Sequence, residues 1–339
     1  MKNNSLPIVG VSCGDPNGIG IEIILKSFQD ERILEFFTPV IFSNDRLLLS
    51  QKNTFNLNLD FHTITNNQNP VPGKINVINV WQDSFEIEFG KSTKKSGELS
   101  FKSLEATTNF LKENKVDVMV TAPINKQNIQ SEKFNFPGHT DYLSDQLKGD
   151  SLMFMISDEL KLGLLTDHIS VKEIISNINP EKIKKKISIM EHSLKIDFGI
   201  IKPKIAVLSI NPHIGDGGVI GKEDQTILIP ALIEISKSGT LISGPFSSDS
   251  FFGARLYKEY DAVLAIYHDQ GLIPFKTLSF GEGVNYTAGL NKVRTSPDHG
   301  TGYDIAGKNI AKSNSFKNAI FSAIEIYKKR KSFLKTQLE

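Results

Sequence analysis

The chain has 339 residues, of which 39% are hydrophobic and 23% charged, and its formal net charge is +1 at pH 7. Those values exclude a disordered or fibrous chain, and the near-neutral charge excludes a general attraction to nucleic acid or an anionic membrane, so any anion must be held by a local cluster. A single cysteine, Cys13, excludes an internal disulfide framework and suits a reducing compartment. At this length two domains, or two lobes around a cleft, are expected. No apolar run approaches the roughly 18 residues of a membrane span, and the opening MKNNSLPIVGV lacks a signal-peptide apolar region, so the cytoplasm is the expected location.

Short apolar runs alternate with amphipathic stretches, the pattern of a mainly parallel sheet covered by helices. The first strand is predicted over residues 8–12 and runs into SCGDPNGIGIE, residues 12–22. Its glycines, Gly14, Gly18 and Gly20, match neither the spacing of the dinucleotide fingerprint nor that of a P-loop. Further strands are predicted over 40–43, 116–121, 160–166, 205–210 and 262–267, and the polar stretch 63–69 before Pro70 reads as an exposed loop. A helix over 181–196 follows Pro180 and carries Ile183, Ile187, Met190 and Leu194 as one apolar stripe, which leaves Lys184, Lys185 and Lys186 on a solvated face. The final helix, 315–333, repeats the device with Phe316, Ile320, Ile324 and Tyr327, and its KKRK tail reads as solvation. There is no internal repeat.

Three histidines share one context, since each follows a predicted strand: His168 after KLGLLT, His213 after IAVLSI and Asn211-Pro212, His268 after AVLAIY. Ligands of open α/β sheets bind beyond the carboxyl ends of the strands, so these imidazoles are candidates for a divalent metal site with an open coordination position. The competing reading is three unrelated histidines that cap strands. A second group suits an anion: Gly138-His139-Thr140 precedes a helix that Thr140 is expected to cap, and Lys276, Asn285 and Arg294 add two cations and an amide donor. The third feature is DHGTGYDIAGK, residues 298–308, whose Gly300 and Thr301 suggest a turn close to a ligand and whose Asp304 suits ribose hydroxyls. A plain turn into a helix is the equal alternative there.

Taken in order, GDPNGIGIE, TAPINK (121–126), FPGHTDYL (136–143), TDHIS, NPHIGDGG (211–218), YHDQGLIPFK (267–276) and the block 285–308 resemble the 4-hydroxythreonine-4-phosphate dehydrogenase family over nearly the whole chain. The resemblance implies two α/β/α lobes with a cleft between them, as in isocitrate and isopropylmalate dehydrogenases, with no Rossmann fingerprint. Residues 1–125 plus 270–339 would form the cofactor-side lobe and 126–269 the metal- and dimer-side lobe. It makes His168, His213 and His268 metal ligands, and His139, Thr140, Lys276, Asn285 and Arg294 substrate contacts. It also implies a homodimer whose active site combines residues of both subunits. Ile21 stands where proline is usual after GIG, Asn291 where GLP is usual, and Gly302 where alanine is usual. Cys13 reads as a small buried side chain rather than a nucleophile.

The activity so implied is NAD- or NADP-dependent oxidation of 4-phosphooxy-L-threonine at C3, then decarboxylation to 3-amino-2-oxopropyl phosphate, a step in pyridoxal 5'-phosphate biosynthesis. The divalent metal, zinc or alternatively magnesium, manganese or cobalt, would act as Lewis acid. Asp304 leans the choice toward NAD, because a carboxylate repels a 2'-phosphate. Gly300 and Thr301 join it as expected cofactor contacts, and the glycine-rich start is expected to shape the cofactor groove without grasping the pyrophosphate. No general base is assigned, with Asp249 and Lys126 as candidates. The alternatives are a dehydrogenase of another phosphorylated hydroxy acid, such as 4-phosphothreonate or 4-phosphoerythronate, and, in a different class, a metal-dependent phosphatase.

Overall fold

A computed structural model describes residues 6–336; the outermost parts of the expected lobes, 1–5 and 337–339, lie outside the described residues. The described residues divide into two compact units, one made of residues 6–148 and Asn291–Tyr327, the other of Gly149–Leu290 and residues 328–336.

The first unit begins with β1 (Ile8–Ser12), α1 (Gly20–Phe28), β2 (Thr38–Ser43), α2 (Asp45–Thr54), β3 (Phe61–Ile64), β4 (Ile75–Asn79), α3 (Lys94–Lys112), β5 (Val118–Thr121) and α4 (His139–Leu147). β1 and β2 are almost wholly buried, as β-branched strands covered by helices must be. The strands lie in the order β3-β4-β2-β1-β5, and every pair is parallel. Asn44 caps α2 by accepting the Leu47 N–H, and Thr93 caps α3 by accepting the Ser96 N–H.

The second unit contains β6 (Leu152–Ile156), β7 (Lys161–Leu164), α5 (Pro180–Ile196), β8 (Lys204–Leu208), α6 (Ile229–Lys237), β9 (Leu241–Phe246), α7 (Ser248–Gly253), β10 (Ala262–Ala265), α8 (His268–Ser279) and β11 (Val284–Ala288). Their order is β11-β6-β7-β10-β8-β9. β7, β10, β8 and β9 are parallel, whereas β6 runs antiparallel to both neighbours. Leu162, Leu164, Ala206, Leu208, Val263, Ala265 and Phe275 build its core, so the three central strands are buried along most of their length. The chain then returns to the first unit with β12 (Val293–Pro297), parallel to β5, and ends in α9 (Asn314–Thr336).

The predicted strands and both predicted helices are present with ends displaced by a few residues. Six strands carried too weak a local pattern to be predicted: β3, β4, β6, β9, β11 and β12. Thr63 and Ile64, expected in a loop, lie in β3. The unit boundaries fall later than the expected 125/126 and 269/270, because α4 packs on α3, α8 packs on β7 and β10, and β11 pairs with β6. Lys184 and Lys185 are indeed on the outer face of α5, paired with Glu181, Glu234 and Asp150. Lys186 departs from the solvated reading: it is largely buried, donates to the Ser151 carbonyl, and has its pKa lowered by desolvation. No helix among the described residues is long and apolar enough to cross a membrane.

In the second unit a buried polar knot ties the last helix down. Tyr286 Oη and Ser193 Oγ both donate to Asp197 Oδ2 at 2.6 Å, while Arg330 Nε donates to Asp197 Oδ1 at 2.8 Å. Burial and the neighbouring Asp197 carboxylate hold the Tyr286 hydroxyl well above its ordinary pKa, so it remains a donor. Removing the carboxylate strands a largely buried guanidinium; Asp197→Ala is expected to cost about 3–5 kcal/mol in urea unfolding, and Arg330→Met less, because the Asp197 carboxylate it leaves behind still accepts from the Tyr286 and Ser193 hydroxyls.

Candidate active site

The glycine-rich start of the chain is a structural junction. Asp15 is fully buried, and its Oδ2 accepts from Asn128 Nδ2 at 2.7 Å, Tyr303 Oη at 2.9 Å and Ser96 Oγ at 3.1 Å. One carboxylate therefore joins the segments after β1, β5 and β12 to the first turn of α3. Gly14 has φ +67°, and a Cβ there would lie 2.3 Å from the Pro123 oxygen; at Gly18 it would lie 2.6 Å from the Thr301 oxygen. The Ile19 N–H donates to that same Thr301 oxygen at 2.9 Å. The loop thus packs on backbone, including that of the 298–308 turn. Within that turn Thr301 is half-buried and Asp304 exposed, and Gly300 has open space where a Cβ would stand. A side chain that the sequence reading passed over, His299, keeps Nε2 buried without a hydrogen-bond partner. Cys13 is fully buried and its thiol is pushed up to about 11 by desolvation, so it is no nucleophile.

The same unit holds three of the expected substrate contacts. Arg294 projects from β12 and is only 1% exposed; its Nη2 and Nε donate to Thr121 Oγ1 at 2.6 and 3.1 Å, and desolvation lowers its pKa to about 9. His139 opens α4, and its Nε2 is buried without a hydrogen-bond partner. Burial holds the imidazole well below its ordinary pKa, assisted by the positive charges of Arg294 and Lys126, so both cations lie within electrostatic reach of the ring. The N-cap of α4 is Gly138, with no side-chain cap, so Thr140 is the second helical residue and does not cap as expected. Capping by Thr140 would have taken up the helix N–H groups; without it they remain available to an anion. The Lys126 stem lies over Gly138, and Gln130 Nε2 donates to the carbonyls of Lys126 and Phe136 at 2.9 and 2.8 Å, stapling the two loops.

In the second unit, β7, β10 and β8 are parallel neighbours, so the residues after them emerge along one edge. His168 and His268 meet there with ring centroids 5.6 Å apart. His268 Nδ1 is 2.7 Å from Asp269 Oδ1, the carboxylate contact that orients a metal-ligating imidazole. His213 stands on a separate turn, and the Ser247 hydroxyl and the Ser250 backbone hold the Asp249 carboxyl below its usual range. Among the described residues no three His, Cys, Asp or Glu side chains close around one point. The donor chemistry of three imidazoles, two adjacent and one backed by a carboxylate, nevertheless fits a divalent cation. Asn285 lies on β11 with its Oδ1 buried and unpartnered, and Lys276 is exposed on α8.

The turn bearing His213 is unusual. From His213 to Gly218 six consecutive residues have positive φ, and His213, Ile214 and Asp216 are not glycine. Left-handed backbone costs an L-residue roughly 1–2 kcal/mol, most for a β-branched one. Strain of that size persists only where the surroundings over-determine it.

Fold and site together define a two-unit α/β chain with parallel strands, imidazoles at strand ends and no Rossmann loop. The isocitrate dehydrogenase of Methylococcus capsulatus shares this fold at a TM-score of 0.50 and 12% identity, covering 96% of this chain and 87% of that one. More specifically, the chain belongs to the family described as pyridoxal phosphate biosynthetic protein PdxA, whose profile matches residues 35–323. It is 43% identical over 332 residues to the 4-hydroxythreonine-4-phosphate dehydrogenase of Bacteroides thetaiotaomicron, covering 97% of this chain and 91% of the relative. A provisionally named D-threonate 4-phosphate dehydrogenase of Oceanobacillus iheyensis is 34% identical, with 94% of this chain and 98% of that one covered. The crystal structure of the 4-hydroxythreonine-4-phosphate dehydrogenase of Klebsiella pneumoniae superposes with a TM-score of 0.80 at 31% identity, covering 96% and 99%.

The state of His139 makes a pH prediction. The unfolded chain binds a proton there near pH 6.5, whereas the folded chain holds the ring neutral to lower pH, so acidification through 6.5 favours the unfolded state. Urea midpoints are expected to fall between pH 7.5 and 5.5, and to fall less in His139→Gln.

Proposed function

We propose that this chain is a metal-dependent dehydrogenase that oxidises 4-phosphooxy-L-threonine at C3 with NAD or NADP and releases 3-amino-2-oxopropyl phosphate and carbon dioxide. The observation that carries the reading is the corner formed by His139 and Arg294: a desolvated guanidinium beside a buried, unpartnered ring nitrogen at an uncapped helix start. Such a corner suits phosphate or carboxylate, because Arg offers a planar fork, the helix offers N–H donors, and low dielectric strengthens both. Membership of the family adds the class of reaction.

His139, Thr140 and Arg294 would take one anionic end of the substrate, with Lys276 and Asn285 contributing a point charge and an amide. His168, His213 and His268 would hold a divalent metal, zinc or alternatively magnesium, manganese or cobalt, which supplies Lewis acidity at the C3 oxygen while NAD(P) supplies the hydride acceptor. Asp269 would keep the His268 ring in one orientation. Of the two base candidates, Asp249 is the carboxylate, and its Oδ1 accepts from Ser247 Oγ at 2.7 Å. Lys126 is better read as a further cation facing the anion. Gly300, Thr301 and Asp304 would line the cofactor, and exposed Asp304 favours NAD over NADP. Oxidation at C3 yields a β-keto acid, which loses carbon dioxide readily.

A homodimer with residues of both subunits in each active site, and a cytoplasmic location, belong to the same reading. The dimer finds support in β9, the edge strand of its unit, which carries exposed Leu241, and in Val219, Ile220 and Ile233, which are exposed in the same unit. An apolar edge of this kind calls for a partner. Leu241→Asp is expected to shift the protein from dimer to monomer in light scattering; a wild-type monomer overturns the assembly.

The name of the Oceanobacillus relative favours one second reading, D-threonate 4-phosphate as substrate. Reduced-cofactor absorbance with each phosphorylated acid, with and without a chelator, decides between them, and phosphate release without absorbance change marks a phosphatase. His213→Ala is expected to abolish turnover and bound metal together. Arg294→Met is expected to raise KM about 10- to 100-fold, the range for losing a hydrogen bond to a charged group, and Arg294→Lys is expected to rescue it only in part because it lacks the fork.

A further inference from the structure

We propose that Asp224 and Gln225 are positioning residues for His213, clamping the left-handed turn that carries it. Asp224 is fully buried, yet its carboxylate lies against the chain ahead of the turn: Oδ1 accepts the Ile210 N–H at 2.8 Å, and Oδ2 accepts the Asn211 N–H at 2.9 Å and Asn211 Nδ2 at 3.0 Å. Gln225 Nε2 donates to the Ile214 carbonyl at 2.8 Å, the residue directly after His213. Ser209 Oγ and Glu223 Oε2 complete the hold on Asn211, at 2.8 and 2.9 Å. The turn is therefore gripped on both sides of His213 by two consecutive residues.

Those two residues open a π-helical turn, Asp224–Leu228, which runs directly into α6. A wider turn of this kind is rare and frequently accompanies a functional site. The fit around it is close: a Cβ at Gly215 would lie 2.3 Å from the Gly221 oxygen, and one at Gly221 would lie 2.6 Å from the Asn211 side chain. His213 itself is exposed, with φ 51° and ψ 29°, so nothing in its own side-chain packing fixes where the imidazole stands. The backbone fixes it, and the clamp fixes the backbone. A turn with three non-glycine left-handed residues relaxes when its anchors are cut, and the imidazole departs with it.

The consequence for metal rests on reading His213 as a ligand, so the test separates the two. Full-length protein freed of metal by chelator is compared with Asp224→Asn and Gln225→Met by hydrogen exchange and by zinc titration against a chromophoric chelator. Both variants are expected to exchange faster over residues 211–220 at an unchanged rate in α5, and Asp224→Asn is expected to lose about 10- to 100-fold in zinc affinity, as second-sphere changes do. A purely structural role predicts a lower unfolding midpoint with zinc affinity unchanged. Wild-type exchange over 211–220 in the variants, or wild-type zinc affinity at faster exchange, overturns the proposal. Should Asp224→Asn fail to fold, Gln225→Met decides on the same readouts, its site being only part-buried. A wild-type protein that takes up no zinc refutes the ligand reading, and the exchange comparison still decides on the clamp.

Discussion

Parallel strands end together, and both units are organised by that constraint. Where neighbours run the same way, the loops that follow them leave along one edge, so residues distant in sequence become adjacent without specific pairing between them. In the second unit the neighbours β7, β10 and β8 deliver His168, His268 and His213 to one edge. In the first unit β1, β5 and β12 deliver the loops that contain Asp15, Asn128 and Tyr303, which the Asp15 carboxylate then fastens to one another. The single reversed strand of the second unit, β6, pairs with β11 on one side and with β7 on the other, so β7, β10 and β8 still end together.

The two units handle charge in opposite ways. The first sinks it: Arg294 sits among strands where solvent is absent, and its proton affinity falls accordingly, while His139 stays neutral because burial and two nearby cations oppose its ionisation. Held so, the polar groups of the corner are fixed where solvent is scarce. The second unit keeps its imidazoles exposed or half-buried, and their chemistry depends on where the backbone puts them. The same unit confines its own deeply buried carboxylates, Asp197 and Asp224, to architecture, one tying down α9 and the other gripping the turn before His213.

The SCGDPNGIGIE stretch was legible only in part. Its glycine spacing spoke against a phosphate cradle, but only the fold shows that Gly14 and Gly18 let backbone approach backbone and that the acidic residue between them is a buried hub. The three lysines of α5 divide in the same manner. Two are paired at the surface as their position on the helix predicts, and the third is drawn inward to a carbonyl that no local pattern announces.

The sequence by itself determined the features that depend on near neighbours. The short apolar strand runs, the apolar stripes of α5 and α9, the Pro180 start of α5 and the placing of three histidines just past strands all arise within a few residues, where propensity and periodicity act. The short edge and antiparallel strands β3, β6 and β9 were not legible, because a four- to six-residue strand is stabilised by the partner beside it. Tertiary structure alone decided that Gly138, not Thr140, begins α4, that Arg294 is desolvated, and that His213 stands on a left-handed turn. Each of these outcomes is set by atoms far away in the chain, through burial, through exclusion of water and through hydrogen bonds that hold strained backbone in place.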